Sequence, residues 1–363
     1  MNRRAVLISV LAICGIFVIQ YATWQRWPLV DRTVWENRIT HFQGEVANKA
    51  FDAQNPVYSG HPGMSVIVLG SALQWLLPFD VRTSLQVAVS LFTAITTTAI
   101  GVVAYKLRPR LVWWAAAVLM LAAHPLFIDA TPTNVFTAPL IVLLALSVLW
   151  IYEHPGTKRS WVPYIAGIAL GTATVTRLPT TGLLALPLLG LLANKRYFHS
   201  LLIIFITAVA AGLILDPLLL FDPYGHIRQV LFRTGLNYTE HVASSPLTFV
   251  AFTTHVPLSL LSIVLGITLT LKKVRTAKAP PVKFIYAMLL STVLLLAGIF
   301  SVRSQSLRYL VPIAFMWDAF LPLFIINLTT RTTIRILHHH YLIALLVITQ
   351  IAMFTYAFFV PTI

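Results

Sequence analysis

Residues 1–35 read MNRRAVLISVLAICGIFVIQYATWQRWPLVDRTVW: a basic start, an apolar run from Ala5 to Trp24, then charge and tryptophan together. A helix needs about 20 apolar residues to cross a bilayer core. Bulky Trp24, Arg26 and Trp27 stand where leader cleavage requires small side chains, so the run reads as a retained first span. The rest of the 363 residues has the same character. Hydrophobic residues make up 58% and charged ones 10%, with mean hydropathy +0.82, against about 45–50% and about 25% in soluble domains. This excludes a single water-soluble globule and a disordered chain. A net charge of +15 would point to nucleic acid in a soluble protein, but here no nucleic-acid partner is expected. Cys14, the sole cysteine, removes any disulfide framework and any cysteine metal site.

Apolar runs fall at about 5–24, 84–105, 111–128, 134–152, 161–176, 179–193, 199–220, 247–271, 284–300, 308–328 and 341–360. They predict an all-α polytopic membrane protein, with 1–363 forming a single transmembrane domain of about eleven helices. Arg3 and Arg4 place the N-terminus in the cytoplasm by the positive-inside rule. Alternation of sides then gathers Lys106, Arg108, Arg110, Lys158, Arg159, Lys195, Arg196, Lys272, Lys273, Arg275, Lys278, Lys283, Arg331 and Arg335 on the inner side, where Glu153 is the only acid. The expectation is a multi-pass protein of the cell (plasma or inner) membrane, with a basic inner rim suited to anionic lipid headgroups.

The acids collect on the other side. Asp31, Glu36, Glu45, Asp52 and Asp80 lie in the first outer loop, 25–83. There Leu29, Val34, Trp35, Ile39, Phe42 and Val46 recur at helical spacing, which predicts an amphipathic helix in the interface plane with its tryptophans at headgroup level. Pro56, Gly60, Pro62 and Gly63 then form a turn cluster. The apolar stretch Met64 to Leu77 is about 14 residues, too short to span, and reads as a juxtamembrane or re-entrant helix. A second polar outer segment, 222–246, carries His226, Arg228, Arg233, Glu240 and His241. Asp318 falls within a span, and the expected partner for so costly a charge is an arginine. His338, His339 and His340 are consecutive, so they cannot share one helix face and read as an interfacial patch rather than a metal site.

Four segments resemble the membrane glycosyltransferases of the GT-C fold, in the branch of protein O-mannosyltransferases and aminoarabinose (lipid A) transferases. After the first span, DRTVW supplies the branch's acid, Asp31, and its aromatic, Trp35, with Arg32 where Glu is usual. YSGHPGM supplies His61 and Pro62, with Gly63 in place of a second proline. The Gly-rich AGIALGTATVTR ends in Thr176-Arg177, where the branch ends in Thr-Lys. RYLVP, Arg308 to Pro312, matches an Arg-Tyr-hydrophobic-x-Pro element that opens a late span. The matches run in family order over about 5–328. The branch's second acid has its nearest counterparts at Asp129 and, by alignment of the segment, at Asn134.

The resemblance implies a polyprenyl-phosphate sugar as donor, used on the extracytoplasmic face. It implies Asp31 as the base that activates the acceptor and Arg308, with Tyr309 beside it, at the departing phosphate. Arg303 or Arg177 would assist, and His61 would position the donor. A direct displacement would invert the anomeric configuration. No cofactor is certain; a divalent metal stays open and no metal ligand set is assigned. Membrane lipids are partners, and the acceptor is a protein, lipid or glycan. On the residues alone, Asp31 is also a solvated or helix-capping acid, Arg308 a cation snorkelling at a span end, His61 a turn residue and Arg177 either membrane-embedded or exposed by a tight turn. The competing functions are a polytopic lipid or solute transporter or flippase, and a catalytically inactive GT-C relative.

Overall fold

The computed structural model describes residues 3–26, 32–52, 63–107, 111–124, 131–156, 160–228, 257–271, 281–300, 311–329 and 337–359. Among them the regular structure is helical, without strands. In chain order the helices are α1 Arg3–Arg26, α2 Arg32–Asn48, α3 Met64–Leu76, α4 Val81–Leu107, α5 Leu111–Ala122, α6 Pro132–Glu153, α7 Val162–Gly190, α8 Phe198–Leu215, α9 Leu218–Phe221, α10 Pro257–Leu271, α11 Val282–Phe300, α12 Val311–Thr329 and α13 Leu337–Phe359. Among the described residues, four stretches are long and apolar enough to cross a membrane: Leu7–Arg26, Val81–Leu107, Pro132–Glu153 and Lys195–Leu215. Six further apolar helical stretches are shorter. The all-helical, membrane-embedded character read from composition is thus present.

α6 is the central post. Thr131 caps it, accepting the Asn134 N–H at 3.4 Å, and Pro132 follows where a missing N–H costs nothing. A helix that is apolar all round has no face for water, and α6 is buried from Pro132 through Leu149. α12 is buried on the same terms from Val311 to Ile325. α1 and α8 sit at the edge, with exposed apolar side chains such as Leu11, Val18, Phe205 and Ile214.

α7 does not run straight. Arg177 has φ −158° and ψ 79°, outside the helical region, between two helical halves at 162–176 and 178–190. Pro179 explains the break, since proline lacks an N–H and disfavours helical geometry in the residue before it. The hydroxyl of Thr181 donates to the carbonyl of Ala173 at 2.8 Å. Eight residues of straight helix would separate those groups by about 12 Å, so the chain folds back on itself. The halves were anticipated as separate spans, but at 1.5 Å per residue the second is only about 20 Å long, against a core of about 30 Å.

Both ends of this hairpin therefore lie together. Tyr197, after α7, donates its hydroxyl to the Tyr152 carbonyl at 3.1 Å and stacks on the Tyr152 ring at 5.7 Å. Gly190 and Lys283 join Tyr152 around one cavity. Lys106, at the end of α4, lies 4.7 Å over the ring of Trp161 at the start of α7. Lys106, Arg196 and Lys283, grouped earlier by counting spans, thus share what we call the basic end. The first half of α7 runs parallel to α8: Gly167 meets Ile204 and Thr207, and Gly171 meets Ala208. A Cβ at either glycine would strike α8 backbone, so GIALG acts as a small-residue packing face.

At the opposite end Asp80 opens α4, accepting the Thr83 N–H at 2.7 Å. Hydrogen bonds from the Thr83 side chain and backbone hold its carboxyl below the ordinary carboxylate range. This cap is therefore intact above that range and lost as pH falls through the lowered value.

The fold-back is testable by cysteine labelling in sealed vesicles after Cys14→Ser. Gly156→Cys and Asn194→Cys, which flank α7, are expected to react with an impermeant maleimide from the same side. Labelling from opposite sides would replace the hairpin with a straight span.

Candidate functional site

Described residues of or next to three of the four segments that carry the family resemblance come together at the end away from Lys106 and Lys283. α2 buries Trp35, Ile39 and Phe42, a stripe at i, i+4 and i+7. That stripe lies along α3: Ile39 packs on Gly70, and Gln43 Nε2 donates to Gln74 Oε1 at 2.7 Å. The amphipathic spacing read for this helix holds for Trp35, Ile39 and Phe42. Trp35 is 4% exposed because its ring closes over Gly63. Val34 points outward, one residue off the stripe. Arg32, standing where the family has an acid, pairs with Glu36 one turn on at 3.1 Å, both side chains half-buried.

Gly63 begins α3 in the left-handed region, φ 55° and ψ 27°. A Cβ here would collide with the Trp35 ring and press on the Thr133 methyl. The position therefore requires glycine twice over, for its backbone conformation and for space. The first turn of α3 is buried, while Trp75 and Leu76 at its other end are exposed, and at 13 residues the helix is as short as the reading of Met64–Leu77 expected. Ser65 Oγ then meets Thr176 Oγ1 at 2.5 Å, tying α3 to the tip of the α7 hairpin. Arg177 follows directly. Of its two sequence readings each is half right: it sits in a turn, yet is only 3% exposed.

Asn134 stands in the first turn of α6, beside Thr133. It is fully buried, and among the described residues neither the amide oxygen nor the amide nitrogen has a hydrogen-bond partner. Leaving such a group unsatisfied costs about 1–3 kcal/mol. An amide offers one acceptor and two donors, and the helix N-terminus adds positive potential. As an amide, Asn134 cannot serve as a second carboxylate. Trp35, Gly63 and Thr133 thus pack together, Ser65 ties this group to Thr176, and Asn134 and Arg177 are the buried chain neighbours of Thr133 and Thr176. Asp31, His61, Asp129, Arg303, Arg308 and Tyr309 lie outside the described residues. Among the described residues no three His, Cys, Asp or Glu side chains gather as a metal site.

Two buried ionisable pairs escaped the sequence reading. Asp318 was expected to meet an arginine. Instead its Oδ2 lies 3.0 Å from His124 Nε2, and its Oδ1 accepts the Ser259 hydroxyl at 2.7 Å. His124 also stacks on Phe315, 4.3 Å between centroids. Asp216 and His226 form the second pair at 2.9 Å, with Asp216 Oδ1 left without a hydrogen-bond partner. A histidine inside or beside an apolar run was the available signal in both cases. Against known proteins, no family profile matches the chain, and neither curated proteins nor solved structures give a match.

Gly63→Ala is expected to lower stability in detergent by about 1–3 kcal/mol through overpacking and backbone strain. Adding Trp35→Leu should recover part of that loss, leaving the backbone share. Equal melting of Gly63→Ala and the parent would refute the Trp35 contact. Removing one partner of a buried ion pair costs about 3–5 kcal/mol. Asp318→Leu should therefore melt well below the paired replacement His124→Leu with Asp318→Leu, as read by thermal unfolding.

Proposed function

We propose that this chain is an integral-membrane glycosyltransferase of GT-C type, moving a sugar from a polyprenyl-phosphate donor to an acceptor on the extracytoplasmic face. One observation carries the reading. Trp35, Gly63 and Thr176 belong to three separate segments that resemble the family's motifs; Trp35 packs on Gly63, Thr176 bonds to Ser65 two residues on, and Thr133, next to Asn134, touches the same Gly63. Chance matches scattered through a hydrophobic chain have no reason to converge.

In this reading Asp31, at the entrance of α2, takes the acceptor proton as the acceptor oxygen attacks the anomeric carbon. The sugar–oxygen bond to phosphate breaks on the opposite side, and the electron pair leaves with the phosphate. Arg308, assisted by Arg303 or Arg177, neutralises that growing charge, which a guanidinium does well through two-point contacts. Tyr309 and His61 orient the donor. The buried, unpaired amide of Asn134 gains its hydrogen bonds from donor hydroxyls. The positive-inside rule puts the basic end in the cytoplasm and this site outside, within a bundle of about eleven spans.

Asp31→Asn is expected to abolish sugar transfer in reconstituted vesicles, by a factor of about 100 to 10,000, with normal expression. NMR of donor and product should show inverted anomeric configuration. Unchanged transfer removes Asp31 from the reaction, and a retained configuration rejects the single displacement. A transporter is the second reading, favoured by the broken, re-entrant α7; substrate flux across sealed vesicles, unaltered by Asp31→Asn, would favour it.

A further inference from the structure

The basic end holds a second site, far from the converging motifs. Residues 191–197 form a tight turn built from its own hydrogen bonds: Leu192 N–H to Leu189 O at 2.9 Å, Ala193 N–H to Gly190 O at 3.1 Å and Tyr197 N–H to Asn194 O at 2.9 Å. Asn194 Oδ1 accepts the Arg196 N–H at 3.2 Å. Tyr197 is buried and pins the turn to α6 through Tyr152. The turn is thus ordered before any ligand arrives. It walls a polar cavity of about 280 Å³ with Tyr152, Asn194, Arg196, Tyr197 and, from α11, Lys283. Arg196 lies 5.7 Å from the Tyr197 ring centroid. Among the described residues neither Arg196 nor Lys283 forms an ion pair with a carboxylate.

A second hollow, about 440 Å³, adjoins the first through Asn194. It is largely apolar, lined by Ala193, Phe198 and Leu201, with Lys195 at its rim. From it α8 continues with exposed Phe198, Leu202, Phe205 and Val209, one apolar track at helical spacing. Two unpaired cations from different helices beside an apolar track match one ligand shape: a phosphate group joined to a hydrocarbon chain. A free anion would use the cations and leave the track without purpose, and a neutral lipid would do the reverse.

We infer that this end binds an anionic phospholipid, its phosphate between Arg196 and Lys283 and an acyl chain along Phe198 and α8. The inference rests on membrane embedding alone and stands whether or not the chain transfers sugars. Binding would anchor the returning half of α7, and with it the hairpin, to one leaflet.

The test is native mass spectrometry of the full chain with dioleoyl phosphatidylglycerol, dioleoyl phosphatidylcholine or glycerol phosphate. Two cations at a membrane surface imply a preference of about tenfold or more for phosphatidylglycerol over phosphatidylcholine. The paired variant Arg196→Gln with Lys283→Gln should lose that preference while eluting as the folded protein. Arg82→Gln, a cation at the other end, should keep it. Phe198→Ser should weaken phosphatidylglycerol binding. Equal binding of the two lipids, an unaffected paired variant, or displacement of the lipid by equimolar glycerol phosphate would overturn the inference.

Discussion

The extended backbone at Arg177 is where both ends of the molecule acquire their composition. Both half-helices run from it toward the same end, closed by the Thr181 to Ala173 hydrogen bond, so Val162 and Gly190 lie at one end of the molecule. A straight α7 would carry Asn194, Arg196 and α8 to the far side and separate Tyr197 from Tyr152. It would also carry Thr176 away from Ser65. The break is thus not a local irregularity. It decides that cations meet at one end and that the re-entrant α3 has a polar partner at the other.

Inside an apolar solvent each polar group needs a partner within the protein. The chain meets this demand in two ways. Many hydroxyls bond back to their own helix: Thr93 to Val89, Thr137 to Thr133, Thr174 to Leu170 and Thr207 to Ile203. These cost little and specify nothing about neighbours. A smaller set crosses between helices: Gln20 to Ala122, Ser65 to Thr176, Ser291 to Leu184, Trp317 to Thr292, and the His124, Asp318 and Ser259 group. Because hydrophobic burial does not drive helix association in lipid, such crossings and the close glycines at 167, 171 and 266 do the specifying.

Much of the architecture was legible in the residues. The apolar runs locate the helices, since periodicity and length are properties of the chain alone. The short stretch after Pro62 announces a short helix, and α3 has 13 residues. Counting spans grouped Lys106, Arg196 and Lys283, and they do share an end. What stayed hidden was partnership. Nothing in the spacing of Trp35 says that its ring will cover Gly63 rather than face headgroups, because that depends on how α2 lies on α3. Asp318 announced a partner by its cost but not its identity, since His124 is 194 residues away. Motif order suggested convergence, yet only packing brings Thr133 and Asn134 beside Gly63.

Asn134 shows how the two levels meet. By sequence it marks a departure from the resembled pattern, an amide where an acid was expected. In the fold it is the first-turn residue of the most buried helix, with both amide atoms unpaired among the described residues. A carboxylate there would gain from the α6 dipole but bring a full charge into the buried start of the helix. The amide keeps donor and acceptor capacity without that charge. In the proposed reaction it would serve the sugar hydroxyls, and the phosphate would fall to the guanidiniums. That division, neutral hydrogen bonding at the helix start and charge at the hairpin tip, is what the proposed donor would require.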